Sequence, residues 1–290
     1  MSEALHPFEP APPSRAGGLA WHALWAVPFA VAALPTLAWL IERWTLGIWY
    51  SGQQGLIVPF IIAFLVWRDF EEAPPRLDQG SSWGLALLVP GLACMALDAA
   101  AGTGLWGAVG LIACIPALSM LLLGLRRTLR LAFPWTLSLF MLPIPAFVAA
   151  PVHLVLRQIS AHGASVVLPL LGVPVTLQET TLLIPAGDVI VSDACSGFST
   201  FHSLLTVALI LAYLTPRASR RWVLLTLTPL LALATNTARV SGLALLVQLA
   251  GFDVLDTWLH PFSGFLAFGV SLLVLFGIAG RDALQASARR

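Results

Sequence analysis

Eight apolar runs separated by short polar or proline-rich stretches constrain this chain more than any other feature. They fall at 19–40, 56–67, 83–97, 105–125, 129–148, 198–214, 222–247 and 262–279. A helix that crosses a bilayer needs about 20 apolar residues, because it rises about 1.5 Å per residue. Most of the runs meet that length, and 56–67 and 83–97 fall short of it. Hydrophobic residues make up 58% of the chain and charged ones 10%, with a mean hydropathy of +0.88, which together place it among integral membrane proteins. The expected fold is an all-α polytopic membrane domain over 19–280 with about eight transmembrane helices. Residues 1–18 are expected as a disordered cytoplasmic tail and 281–290 as a second one. The first twenty residues are rich in proline, hold one arginine and lack a small-residue cleavage site after a short apolar core, the pattern of a tail and not of a cleaved signal.

All fifteen basic residues are arginine, and the net charge is +1, which argues against nucleic acid as a partner. With the N-terminus in the cytoplasm, Arg15, Arg68, Arg76, Arg126, Arg127, Arg130, Arg217, Arg220, Arg221, Arg281, Arg289 and Arg290 lie inside. Only Arg43, Arg157 and Arg239 are left outside or within the membrane. This split follows the positive-inside rule and brings both termini to the cytoplasmic face.

One long non-cytoplasmic region, about 143–193, follows the fifth run. Pro143, Pro145 and Pro151 are expected to break the fifth helix. Residues 152–171 then read as a helix with His153, Arg157, Gln158 and His162 near one face, lying at the interface or re-entering. The segments 173–178, 180–185 and 188–192 read as short strands on the outer face, which deliver the chain to Cys195.

Cys195 opens the next apolar helix within Ser192-Asp193-Ala194-Cys195-Ser196-Gly197. A thiol at a helix N-terminus meets free backbone N–H groups and the positive end of the helix dipole, so it is a candidate nucleophile as well as a small buried apolar residue. Cys94 and Cys114 sit inside apolar runs. The three cysteines have no metal-ligand spacing, and no metal or cofactor is expected.

Helical rise places further residues at the same depth. From Gly197 to Thr215 is about 27 Å, so Cys195 lies at the outer interface, and from Trp222 to Arg239 is about 26 Å. About 30 Å separates Arg281 from Pro261, which puts His260 at the outer end of the last span. An intramembrane arginine such as Arg239 usually faces a polar partner or cavity. Asn236, three residues earlier on the same face, is placed to bond that arginine or to line the same cavity. His202 shares the cysteine's helix face about 10 Å deeper and reads as structural or supporting. Asp193 reads as a substrate-recognition or backbone-capping residue, and Asp253 and Asp256 as solvated loop carboxylates. Glu71-Glu72-Ala73-Pro74-Pro75-Arg76 has the spacing of a glutamate-based intramembrane protease, but its prolines predict a loop.

Ala194-Cys195-Ser196-Gly197, then Asn236-Thr237-Ala238-Arg239-Val240, then His260 with Gly264, together resemble the exosortase and archaeosortase family of membrane cysteine transpeptidases. Trp49-Tyr50-Ser51, Gly55-Leu56-Ile57-Val58-Pro59, Met141-Leu142-Pro143-Ile144-Pro145 and Leu171-Gly172-Val173-Pro174-Val175 extend the resemblance over most of the chain. It implies a bacterial inner-membrane thiol protease and transpeptidase for PEP-CTERM-type protein sorting. The partners would be exported proteins carrying a C-terminal motif, a transmembrane helix and an Arg-rich tail, together with membrane lipid and an acceptor nucleophile. Carried over by position, Cys195 matches the nucleophile, Arg239 the catalytic arginine and His260 the catalytic histidine, with Asn236, Asp193, Ser196, Gly197 and His202 supporting or binding substrate. Phe198-Ser199 stands where many members have Leu-Arg, and Pro261 where many have Asp, which marks a divergent subgroup. The sequence ends soon after Arg281, and no appended C-terminal domain is expected.

Two other classes fit the composition. A transporter or polysaccharide-export component would use Arg239 to hold an anion, although the chain has no clear internal repeat. A scaffold that keeps the family fold without activity would differ only in the failure of Cys195 to react.

Overall fold

The computed structural model describes residues 15–46, 54–75 and 80–280, with the side chains of 15–28, 46, 54 and 194 left out of account. Residues 1–14, Trp49-Tyr50-Ser51, Arg76, Arg281, Arg289 and Arg290 lie outside the described residues. The helices are α1 (Arg15–Leu46), α2 (Gln54–Glu72), α3 (Leu85–Ala101), α4 (Leu105–Arg130), α5 (Ala132–Leu137), α6 (Ala146–Leu170), α7 (Phe198–Leu214), α8 (Ala218–Ala250) and α9 (Leu259–Ala279). Between α6 and α7 a small sheet is formed by β1 (Thr176–Gln178), β2 (Thr181–Ile184) and β3 (Gly187–Ile190).

Among the described residues four helices are long and apolar enough to cross a membrane: Ser82–Ala101, Leu105–Arg130, Ala218–Ala250 and Leu259–Ala279. Ala132–Met141 and Ala146–Leu170, bent by 86°, make a fifth if they are one broken span, and α7 is apolar but shorter. Length and composition thus support a polytopic membrane protein and do not reach eight spans. In α2 the reason is visible, since Arg68, Asp69, Glu71 and Glu72 occupy its last turns and shorten its apolar part.

The expected fifth span over 129–148 is not one helix. α5 and a 3-10 turn (Ser138–Met141) give way to extended backbone at Leu142 (ψ 128°), and α6 begins after an extended Pro145 (ψ 146°). Pro143 and Pro145 lack the N–H a helix needs and push the residues before them out of the α region. Pro151, expected to break the chain, is carried inside α6, which starts six residues earlier than its polar stripe suggests. The indole of Trp44 in α1 donates to Met141 O at 2.9 Å and ties this bend to the N-terminal helices. Glu71 and Glu72, expected in a loop, form the end of α2, and Pro74 and Pro75 follow it.

Lipid is as apolar as leucine, so close contact and not burial alone joins the helices. α3 and α4 cross where glycine faces glycine: a Cβ on Gly91 would stand 2.9 Å from Gly110 O and 2.7 Å from Cys114 Sγ. Cys114 is buried there as a free thiol.

The sheet is an antiparallel meander in the order β1-β2-β3, with Thr176 opposite Leu183 and Thr181 opposite Ile190. Leu182, Ile184, Val189 and Val191 turn inward and share one core cluster with Leu168 of α6, Val240 and Ala244 of α8, and Cys195. The sheet is thereby fixed to the two helices that flank the cysteine. α7, α8 and α9 pack against each other through Leu204, Leu211, Leu224 and Leu275.

Candidate functional site

Cys195 closes a 3-10 turn, Asp193–Cys195, in which its own amide donates to Ser192 O (2.9 Å) and that of Ser196 donates to Asp193 O (3.1 Å). The thiol therefore stands just ahead of α7 and not on its first turn, and the amides on either side of it are already committed. Gly197 follows with φ 77°, the left-handed conformation that favours glycine, and starts α7 at Phe198. A Cβ on Gly197 would lie 2.5 Å from the Asn236 Cγ. Both the backbone and the space at this position require glycine.

Asn236, on α8, donates through Nδ2 to Cys195 O (3.0 Å) and to Ser160 Oγ of α6 (2.8 Å). Of the two expectations for Asn236, to bond Arg239 or to line the same cavity, neither describes these bonds: its amide fixes the backbone of the cysteine turn. Ser196 shares a 2.8 Å hydrogen bond with His153 Nδ1, and its Oγ also accepts from the Phe198 amide (3.3 Å). His153 is buried against the Phe198 ring. Arg157 pairs with Asp193 (3.3 Å), so the carboxylate beside the cysteine turn is held by an arginine of α6.

His153, Arg157 and Ser160 recur at i, i+4 and i+7, one face of α6, and all three reach the cysteine turn or its anchor. Gln158 and His162, grouped with them in the sequence reading, are exposed. Ser160 was missed altogether; its signal was the small polar residue continuing the spacing of His153 and Arg157.

The last helix completes the site. Nε2 of His260, the second residue of α9, lies 3.7 Å from Cys195 Sγ. Its Nδ1 is shielded and has no hydrogen-bond partner among the described residues, so neither Asp253 nor Asp256, both exposed, orients the ring. Arg239 Nε donates to Ser263 Oγ (3.0 Å), which in turn donates to His260 O (2.6 Å). Gly264 lies against the guanidinium, where a Cβ would stand 3.7 Å from Arg239 Cζ, an ordinary van der Waals contact. His202 is buried away from the thiol, stacked on Phe140 with ring centroids 5.2 Å apart.

A cavity of about 590 Å³ abuts this cluster between α2, α7 and α9. Arg239 lines it directly, whereas Cys195 and His260 border it through Asp193, Ser196, Gly197 and Pro261. The arrangement brings a thiol, an imidazole able to take its proton and a guanidinium beside a cleft large enough for part of a polypeptide. Among the described residues no group of three or more His, Cys, Asp or Glu side chains is placed to hold a metal.

The sequence profile of the transmembrane exosortases matches residues 49–277, most of the chain. The chain belongs to that family. No curated protein and no solved structure matches it. Exosortases are generally cysteine transpeptidases that act on exported proteins bearing sorting signals. In this exosortase Cys195 and His260, the cysteine and histidine expected from the sequence, are brought to 3.7 Å.

Proposed function

We propose that this exosortase cleaves the C-terminal sorting signal of exported proteins and transfers the processed chain to an acceptor, using Cys195 as nucleophile. The observation that carries this reading is the 3.7 Å approach of Cys195 Sγ and His260 Nε2 across 65 residues of sequence. His260 takes the thiol proton, and the thiolate adds to the scissile carbonyl carbon. The resulting oxyanion is stabilised by Arg239, because the amides of Cys195 and Ser196 are used within the turn. When the C–N bond breaks, the leaving amine takes the proton from His260 and a thioester remains. The acceptor's amine, hydroxyl or water then attacks the thioester, gives its proton to His260 and releases the thiolate.

Asn236, Ser196 and Gly197 act by holding the turn, His202 by packing, and Asp193 at the rim of the cavity by meeting substrate. The cavity receives the segment around the scissile bond, and the apolar helix that follows it in the substrate continues along α7.

The membrane reading that goes with this chemistry is the bacterial inner membrane, with both termini in the cytoplasm and Cys195 at the periplasmic face. Arg68, Arg130 and Arg221 line one cavity at the far end of α7, which accords with a cytoplasmic face there. α1, α2 and α7 cross in addition to the four longer helices, α5 with the 3-10 turn and the extended stretch up to Pro145 makes the eighth crossing, and α6 lies along the outer interface.

The test is co-expression with an exported protein carrying a C-terminal motif, transmembrane helix and Arg-rich tail, followed by mass spectrometry of its C-terminus. The intact chain yields a truncated or acceptor-linked product; Cys195→Ala reaches the membrane in equal amount and yields none. Normal processing by Cys195→Ala would falsify the nucleophile assignment.

A further inference from the structure

The end of the helix bundle away from Cys195 holds a second cavity, of about 330 Å³, bounded by the last turns of α2, the end of α7 and the start of α8. It lies about 25 Å from the cysteine turn, the length of α7 at about 1.5 Å per residue. Its polar wall is formed by Arg68, Asp69, Glu72, Arg130 and Arg221. Leu65 and Leu214 form an apolar wall on the side of the half-exposed Tyr213.

The ion pairs around this cavity leave positive charge over. Asp69 is committed to Arg127 and Arg130, each at 2.6 Å, and Glu72 to Arg130 at 2.8 Å. Arg68 meets Glu72 only at 3.6 Å, and its Nη1 is shielded from solvent with no hydrogen-bond partner among the described residues. Arg221 uses Nε on Thr215 O (2.6 Å), and among the described residues nothing acidic besides Asp69 and Glu72 lines the cavity. Four guanidinium groups thus stand around two carboxylates, and a shielded guanidinium amine without an acceptor is costly. The planar fork of arginine matches a phosphate oxyanion, and the adjoining apolar wall suits a molecule that carries its phosphate on an acyl-bearing body.

We propose that this cavity binds the phosphate of an anionic membrane phospholipid, with Arg68 and Arg221 as the groups that hold the oxyanion and Leu65 and Leu214 against its glycerol and acyl stem. The site is separate from Cys195, and its occupancy does not rest on the reaction assigned to that residue. Basic pockets between transmembrane helices at an anionic leaflet take headgroups in this way.

The test uses the full chain purified in neutral detergent and native mass spectrometry with dioleoylphosphatidylglycerol, dioleoylphosphatidylcholine or inorganic phosphate as probe. The unaltered chain is expected to retain one phosphatidylglycerol through detergent washing and to lose phosphatidylcholine. Arg68→Gln and Arg221→Gln should each weaken that retention about fivefold. Arg126→Gln, an exposed arginine on the neighbouring helix that does not line the cavity, should leave it unchanged. Equal retention of the two lipids by the unaltered chain overturns the proposal without recourse to any variant. So does a loss on Arg126→Gln as large as that on Arg68→Gln, which would mean diffuse surface attraction. Binding of inorganic phosphate that displaces phosphatidylglycerol at millimolar concentration would overturn the lipid as the natural source.

Discussion

Gly197→Ala is the substitution whose cost the geometry fixes most closely. At φ 77° an alanine sits in the left-handed region, at a cost of about 1–2 kcal/mol. Its Cβ would also stand 2.5 Å from Asn236 Cγ, 2.7 Å from Oδ1 and 2.9 Å from Cβ, so Asn236 must move. Moving it breaks the bonds to Cys195 O and Ser160 Oγ, each worth about 1 kcal/mol net. The total is about 3–4 kcal/mol, of which about 2 kcal/mol belongs to Asn236. A double-mutant cycle separates the two parts. In an Asn236→Gly background the three clashing atoms are gone, so adding Gly197→Ala should cost only the backbone share, about 1–2 kcal/mol. The helix penalty of a glycine at 236 is common to both arms and cancels. Unfolding of the four proteins by SDS in mixed micelles measures the cycle, and processing of a tailed substrate measures the displacement of Cys195. If Gly197→Ala costs the same in both backgrounds, contact with Asn236 is not what keeps glycine there.

Three further substitutions test separate links. His260→Ala should lower the rate of substrate processing about 10²- to 10⁴-fold, the range for a lost general base, while the unfolding midpoint stays within about 0.5 kcal/mol of the parent. Arg239→Lys keeps the charge but cannot make the Nε bond to Ser263, so it should lose about 10²-fold in single-turnover rate, close to Arg239→Ala; recovery to within about tenfold of the parent would mean that charge alone suffices. Gly91→Val forces α3 from α4 at Gly110 and Cys114 and should destabilise by about 1–3 kcal/mol in the SDS assay, with processing per folded molecule unchanged.

The sequence made legible whatever rests on local pattern. The apolar run 198–214 has the limits of α7, and the three β-branched segments before it are β1, β2 and β3 within a few residues. Depth arithmetic put Cys195 and His260 at one level because both stand at ends of helices, where rise alone decides position. It could not give azimuth, so it left Asn236 either to bond Arg239 or to line the same cavity. In the structure Asn236 points the other way around α8, to Ser160 and Cys195 O. The spacing on α6 marks the face that carries His153, Arg157 and Ser160 but not what that face meets, since the partners of His153 and Ser160 lie 43 and 76 residues away. The short α5 and the extended backbone at 142–145 were obscured because the apolar run 129–148 reads through them, and only the prolines signal the break.

The α7 face along the larger cavity relates the chemistry to the kind of substrate proposed. Ser199, Ser203, Thr206, Val207 and Ile210 line it at spacings of one, three and four, which is a single helical stripe. Hydroxyls occupy the turns nearest Cys195, and aliphatic groups occupy the deeper turns, where Ile61 of α2 and Phe268 of α9 face them. A peptide with an extended backbone needs hydrogen-bond partners for its exposed N–H and C=O groups, and near the hydroxyls it can find them. One turn deeper it must satisfy them internally, as a helix does in lipid. The stripe therefore suits a chain that is extended at the bond to be cut and helical immediately after it. A substrate extended throughout would leave its backbone groups without partners beside Val207 and Ile210, and a substrate helical throughout would bury the scissile carbonyl's oxygen in its own helix, away from Arg239. Under the proposed function, the change from polar to apolar lining along α7 would set where the substrate's helix begins, and with it which peptide bond is presented to Cys195.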